Sequence, residues 1–143
     1  MITIDSAQAF AEIDALLLRM HESAPFLEAV GDREVKLARE RIRDTKLDPL
    51  GNAWAPWAPF TRSEREHKGN AGLGLLLDEG GLLLSLDKAI FGDTVEIGSN
   101  LDYAKDLQEG TDHMPAREFL GWSPESVPVY ENLYKRYIET GVL

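Results

Sequence analysis

Four breakers fall within residues 46–61, KLDPLGNAWAPWAPFT: Pro49, Gly51, Pro56 and Pro59. Each proline removes a backbone donor, fixes its own φ and pushes the residue before it out of the helical region. Regular structure cannot run through such a stretch, so residues 45–70 read as a loop that divides the chain. Trp54, Trp57 and Phe60 punctuate it at every third position. Aromatic side chains between prolines have two uses. They dock the loop onto the protein body, or they stand out as anchors for another protein, where tryptophan is a favoured hot-spot residue. Both hold if the site faces a neighbouring copy.

Before the loop the sequence has a helical period. Asp5 and Ser6 stand where a cap belongs, and Ala9, Phe10, Ile13, Leu16, Leu17 and Met20 follow on one face, with Glu12, Asp14 and Arg19 on the other. Residues 21–25 break this helix, and Pro25 suits the first turn of a second. The second runs from about residue 25 to residue 43 along Phe26, Leu27, Val30, Val35, Ala38 and Ile42. Gly31 weakens it by about 1 kcal/mol relative to alanine, so a bend is expected there. Nine of residues 32–44 are charged, which reads as a solvated, ion-pair-laced surface with one buried stripe.

After the prolines, residues 62–70 are polar and read as a helical turn or a mobile loop. Gly69, Gly72 and Gly74 have neither the P-loop lysine nor the dinucleotide-binding spacing, so no phosphate cradle is expected. Residues 78–81, DEGG, form a turn. Residues 82–86 and 94–97 read as strands, with 88–92 as a turn or an extension between them. In 100–121, Tyr103, Ala104 and Leu107 take helical spacing that stops at Gly110 in a left-handed cap. Pro115 then bars helix at Met114, and residues 117–120 read as a further short strand leaving through Gly121. The last helix opens with Ser123 as cap and Pro124 in the first position, carries Val127, Tyr130, Leu133, Tyr134, Tyr137 and Ile138 as its apolar face, and stops at Gly141.

This order predicts an α+β fold in one domain over residues 1–143. A helical region (1–44), the Pro/Trp-rich loop (45–70), strands with a short helix (71–121) and a C-terminal helix (122–143) follow one another. The long N-terminal helices and the C-terminal helix are expected to pack on a small antiparallel sheet of three to four strands.

The net charge of −10 argues against nonspecific binding to nucleic acid or anionic membranes, which needs clustered lysine and arginine. The absence of cysteine excludes disulfides and thiolate zinc sites. No apolar run approaches the ~20 residues that span a bilayer, and MITIDSAQAF lacks the pattern of a secretory signal. His21, His67 and His113 have no metal-binding spacing, and Ser85 and Ser99 sit in no nucleophile elbow. Asp102, Asp106, Glu109 and Asp112 do not match a calcium loop and read as a solvated acidic face. No catalytic residue, metal or cofactor is expected, and the chain does not read as an enzyme. Arg117, opening an apolar stretch beside Glu118, is expected in an ion pair within the chain or in a contact between subunits. Trp54, Trp57, Phe60, Tyr103, Arg117 and Phe119 are the interface candidates.

Four segments in order carry a resemblance: DPLGNAWAPWAPFT (48–61), DEGGLLLSL (78–86), VEIGSNLDYAKDLQEG (95–110) and MPAREFLGWS (114–123). Asp48, Pro49, Gly51, Trp54 and Pro56 match one motif. Gly81 and Leu83 match a second, with Ser85 shifted in register. Ile97, Gly98, Ser99, Tyr103, Ala104, Gln108 and Gly110 match a third, and Pro115, Arg117, Phe119, Leu120 and Gly121 a fourth. Together they resemble the phage virion morphogenesis or tail-completion family of Mu-like tailed phages, and more distantly siphophage neck proteins. A glycine-rich stretch replaces the basic run that commonly precedes the second motif. The likeness covers residues from about 33 to the C-terminus.

The resemblance implies a structural virion protein of the neck or upper tail, acting in tail completion or head–tail joining. It implies a ring of copies of itself, hexameric in such families, in contact with tail-tube or head-connector proteins. Genomic DNA would pass through an acidic lumen without specific binding, and no membrane is involved. The protein would reside in the virion, and in the host cytoplasm during assembly. A non-virion factor for capsid or tail morphogenesis is the alternative.

Overall fold

The computed structural model describes residues 6–143. The cap expected of Asp5 and Ser6 lies outside the described side chains. Helix α1 (Ser6–His21) is followed by α2 (Ala24–Glu40), which has Pro25 in its first turn. α2 runs on through Gly31, which is buried. A Cβ there would fall 2.6 Å from Lys88 Cδ and 3.0 Å from Val95 Cγ2. The glycine therefore serves close approach by the strands, not the expected bend.

α2 passes into one π-helical turn, Arg41–Thr45, and ends on Lys46 in the left-handed region at φ 58°. The Lys46 main-chain N–H donates to the Arg41 carbonyl at 2.9 Å. Its ammonium donates to the Ile42 carbonyl and to the Leu75 carbonyl, the latter at 3.0 Å. The bonds to Arg41 and Ile42 satisfy helix-end carbonyls that would otherwise lack partners. Arg39 and Arg41 also end on carbonyls, of Leu86 at 2.8 Å and Phe119 at 3.1 Å. The charged run is thus only partly the solvated surface expected. Lys36–Glu40 and Arg43–Asp44 are exposed pairs, but Glu34 and Arg41 are buried.

The proline-rich stretch has no regular structure up to Ala58, apart from a Leu47–Ala53 bridge. The Asp48 carboxylate accepts from the Asn52 amide at 2.9 Å and from the main-chain N–H groups of Asn52 and Leu50. These bonds, led by that of the Asn52 side chain, hold its pKa below the usual carboxylate value. Helix α3 (Pro59–His67) takes in part of residues 62–70, and it starts earlier than expected, inside the stretch read as irregular, because Pro59 fits the first turn of a helix where its missing N–H has no partner to lose.

Residues 82–85, expected in a strand, are helical: α4 spans Gly81–Ser85. An unbroken leucine run has no period to separate helix from strand. Strand β1 begins only at Leu86 (Leu86–Phe91) and pairs antiparallel with β2 (Thr94–Ser99), Phe91 opposite Thr94. Residues 88–91 are therefore extension, not turn. After α5 (Ala104–Glu109), Gly110 takes φ 76° and ψ 174°, so its φ is positive but its cap is not the left-handed helical one expected. A Cβ there would fall 2.6 Å from the Ala116 nitrogen.

Residues 117–120 form no strand, and among the described residues the sheet has two strands, not three to four. Their backbone finds other partners. Arg117 N–H donates to the Leu107 carbonyl at 2.8 Å, and the N–H groups of Phe119 and Leu120 donate to Gln108 Oε1, each at 3.0 Å. Helix α6 (Ser126–Thr140) starts two residues later than expected and ends on Gly141, whose N–H reaches the Tyr137 carbonyl at 2.8 Å.

The architecture is α+β. α2 lies against the hairpin, and α6 lies against α2. The core joins Val35, Ala38 and Ile42 of α2 to Trp54, Leu82, Leu86, Ala104 and Phe119. Buried Glu34 links α2 to α6 by accepting from Ser126 Oγ at 2.9 Å and from the Tyr130 hydroxyl at 2.5 Å. α1 does not bury its apolar stripe: Phe10, Ile13, Leu17 and Met20 are exposed.

Candidate functional site

The proline-rich loop and residues 117–118 hold each other by reciprocal bonds. Arg117 Nε donates to the Ala55 carbonyl at 2.9 Å and Nη2 to the Pro56 carbonyl at 3.0 Å. In return Trp54 Nε1 donates to the Glu118 carbonyl at 2.9 Å. A stretch without regular structure leaves carbonyls in need of donors, and the planar guanidinium fork reaches two adjacent ones. Burial lowers the Arg117 pKa, yet a guanidinium stays charged at neutral pH. Arg117 thus makes an intramolecular contact, but with main-chain oxygens in place of the expected carboxylate.

The six interface candidates separate by depth. Trp54, Arg117 and Phe119 are buried. Trp57 is half-buried, with the Arg65 guanidinium 4.7 Å from its ring centroid. Phe60, in the first turn of α3, is 74% exposed, and Tyr103, leading into α5, is 48% exposed. The structure therefore divides the set into supports beneath the surface and aromatics upon it.

A cleft of about 560 Å³ is lined by Trp57, Arg65, Tyr103, His113, Met114 and Arg117, among others. Both arginines are engaged. Arg65 donates to the Leu77 carbonyl at 3.1 Å and lies 3.7 Å from Asp78, while Arg117 holds the loop. Their charge serves the backbone around the cleft. Among the described residues, no group of three histidine, cysteine or acidic side chains is placed to hold a metal ion.

A second apolar surface escaped the reading of the sequence. A groove of about 420 Å³ is lined by Phe26, Trp122, Val127, Tyr130 and Tyr134, with Glu131 as its charged member. Phe26 and Tyr134 meet at a tilt of 57° with their ring centroids 4.9 Å apart, and Trp122 meets Tyr130 edge-on at 5.6 Å. The signal was the width of the apolar stripe on α6. Val127, Tyr130, Leu133, Tyr134, Tyr137 and Ile138 cover more of the helix than one contact face needs. Tyr137, buried, faces inward, while Val127 is exposed.

The model of the phage virion morphogenesis family matches residues 4–139. No curated protein and no solved structure matches the chain. No helix among the described residues is long and apolar enough to cross a membrane.

Proposed function

The chain belongs to the phage virion morphogenesis family, and from that premise we propose that it is a structural virion protein of the neck or upper tail. In this reading it completes the tail or joins it to the head, and it works as a ring of identical copies, hexameric as the family resemblance implies. Its task is shape, without a bond-making step or a cofactor. Its neighbours are further copies, tail-tube proteins and head-connector proteins. DNA passes through the lumen unbound, repelled by a chain of net charge −10. Its place is the virion neck, after assembly in the host cytoplasm.

The observation that carries this reading is the amount of large apolar surface left uncovered. Phe10, Leu17, Phe60, Tyr103, Trp122 and Val127 are all exposed. Trp122 and Val127 share one apolar groove with Phe26 and Tyr134, and protein interfaces use exposed aromatics as anchors. Phe60, Tyr103 and the open edge of Trp57 are the contact residues in this proposal. Trp54, Arg117 and Phe119 set the shape of that surface from below.

Mass spectrometry of purified particles, with images of the neck, tests the assignment. The expected result is a few copies per particle in a ring at the head–tail junction. A protein required for infectious particles yet absent from them would overturn the structural role in favour of an assembly factor.

A further inference from the structure

We propose that the aromatic groove on α6 seats an arginine side chain of a basic partner protein, laid against its rings, Trp122 foremost, and paired with Glu131. The partner is a different protein from this chain, so the inference holds whether or not copies of the chain form a ring.

The walls suit a cation. Four of the six lining residues are aromatic: Phe26, Trp122, Tyr130 and Tyr134. The face of an aromatic ring is the negative side of its quadrupole and attracts a cation within about 6 Å of the centroid. Tryptophan is the strongest ring for this, and Trp122 is 56% exposed. Tyr130 is primed from behind. Its hydroxyl donates to buried Glu34 at 2.5 Å, which pushes electron density into the ring. That ring already attracts one cation of the chain itself: the Arg33 guanidinium stands 6.0 Å from its centroid, although Arg33 does not line the groove.

Glu131 supplies the charge. It is exposed, and it is the one charged residue in the lining. Lys135 follows it by four positions, the spacing at which Lys36–Glu40, Arg62–Glu66 and Lys105–Glu109 close to 3.8–3.9 Å. Among the described residues Glu131 makes no such pair, so its carboxylate stands open at the rim. An apolar wall ending in a carboxylate matches a side chain with an apolar stem and a cationic tip. Arginine fits better than lysine. Its guanidinium is flat and weakly hydrated, stacks on rings, and meets a carboxylate with two parallel N–H bonds. Acidic residues number 25 against 15 basic ones, so long-range attraction favours a basic protein over a second copy.

The test uses the full chain and the peptide acetyl-Ala-Arg-Ala-amide, with citrulline, lysine or leucine replacing the arginine in matched probes. The indole N–H of Trp122, assigned by its loss in Trp122→Phe, reports binding by NMR. A saturable shift with the arginine peptide is expected, with binding about fivefold weaker or more for citrulline, which keeps the shape without the charge. Glu131→Gln changes an exposed position and is expected to leave circular dichroism unaltered. It should weaken the arginine peptide to the citrulline level and leave the leucine peptide unchanged. Citrulline or leucine binding as tightly as arginine would show a merely apolar seat and overturn the proposal. Equal binding by lysine overturns the choice of arginine, and no shift with any peptide overturns the site. Loss of self-assembly in Glu131→Gln would assign the groove to the contact between copies and overturn the partner named here.

Discussion

The Gln108 carboxamide holds Leu120 by both of its main-chain polar groups: Nε2 donates to the Leu120 carbonyl at 2.9 Å, and Oε1 accepts its N–H at 3.0 Å. One side chain thereby does the work of a neighbouring strand. Phe119, fully buried, is held in the same grip through its own N–H.

Replacing Gln108 by leucine leaves two main-chain donors and one acceptor without this partner. At ~1–3 kcal/mol for each unsatisfied buried group, the variant is expected to lose about 3 kcal/mol or more. Gln108→Glu keeps the accepting oxygen and is expected to lose about 1 kcal/mol. Urea unfolding of both reads the difference, and equal losses would mean that the donated bond to Leu120 carries the whole effect.

Gly31→Ala sets two effects against each other. Helix propensity gains about 1 kcal/mol, while a Cβ 2.6 Å from Lys88 Cδ overpacks a contact at about 1–3 kcal/mol. The lysine is held by Asp32 at 2.7 Å and by Glu28, so it cannot simply swing away. The expected net is a loss of about 1 kcal/mol. In a Lys88→Ala background the same change becomes neutral or stabilising, and a double-mutant cycle measures the coupling.

Tyr130 carries an alkaline signature. Burial first, and then its bond to Glu34, raise its pKa above the ordinary tyrosine value. A raised folded-state pKa contributes stability that is complete below the unfolded value near pH 10 and fades as pH rises past it. Tyr130→Phe is therefore expected to lose about 1–3 kcal/mol at pH 7. Its stability should then fall less steeply than wild type above about pH 10. Denaturant titrations at several pH values decide the matter, and parallel curves would exclude the linkage.

Depth separates the aromatic candidates. Trp54→Ala empties a core position and is expected to cost about 3–5 kcal/mol in the protomer itself. Phe60→Ser and Tyr103→Ser remove exposed rings, so each should stay within about 0.5 kcal/mol of wild type while weakening assembly. Thermal melts and sizing distinguish them. Normal assembly by both serine variants would remove this surface from the interface.

Arg117→Lys keeps the charge and loses the fork. A point ammonium cannot reproduce the paired bonds to Ala55 and Pro56, so a loss of about 1–2 kcal/mol is expected. Faster proteolysis within residues 54–58 would report the freed loop. An unchanged cleavage pattern would show that Trp54 alone suffices.

Much of this was visible in residue order. Pro25 and Gly141 mark helix ends because their backbone limits act within a few residues. The errors fell where local signals are neutral or the deciding partner is distant. The leucine run at 82–84 suits helix or strand, and residues 117–120 form no strand but take partners in α5, about ten residues earlier, in place of a sheet. Arg117 read as one half of an ion pair because sequence shows charges and hides carbonyls.

By itself, then, the sequence determined the family, the α+β class, the helical ends of the chain and the irregular proline-rich loop between them. Tertiary structure alone decided which aromatics lie beneath the surface, which stand upon it, and that the stripe of α1 is left uncovered. The reason is physical. Breakers and caps act over one turn of chain, while burial depends on what residues far apart in sequence bring to the same place, as Trp54 and Glu118 do.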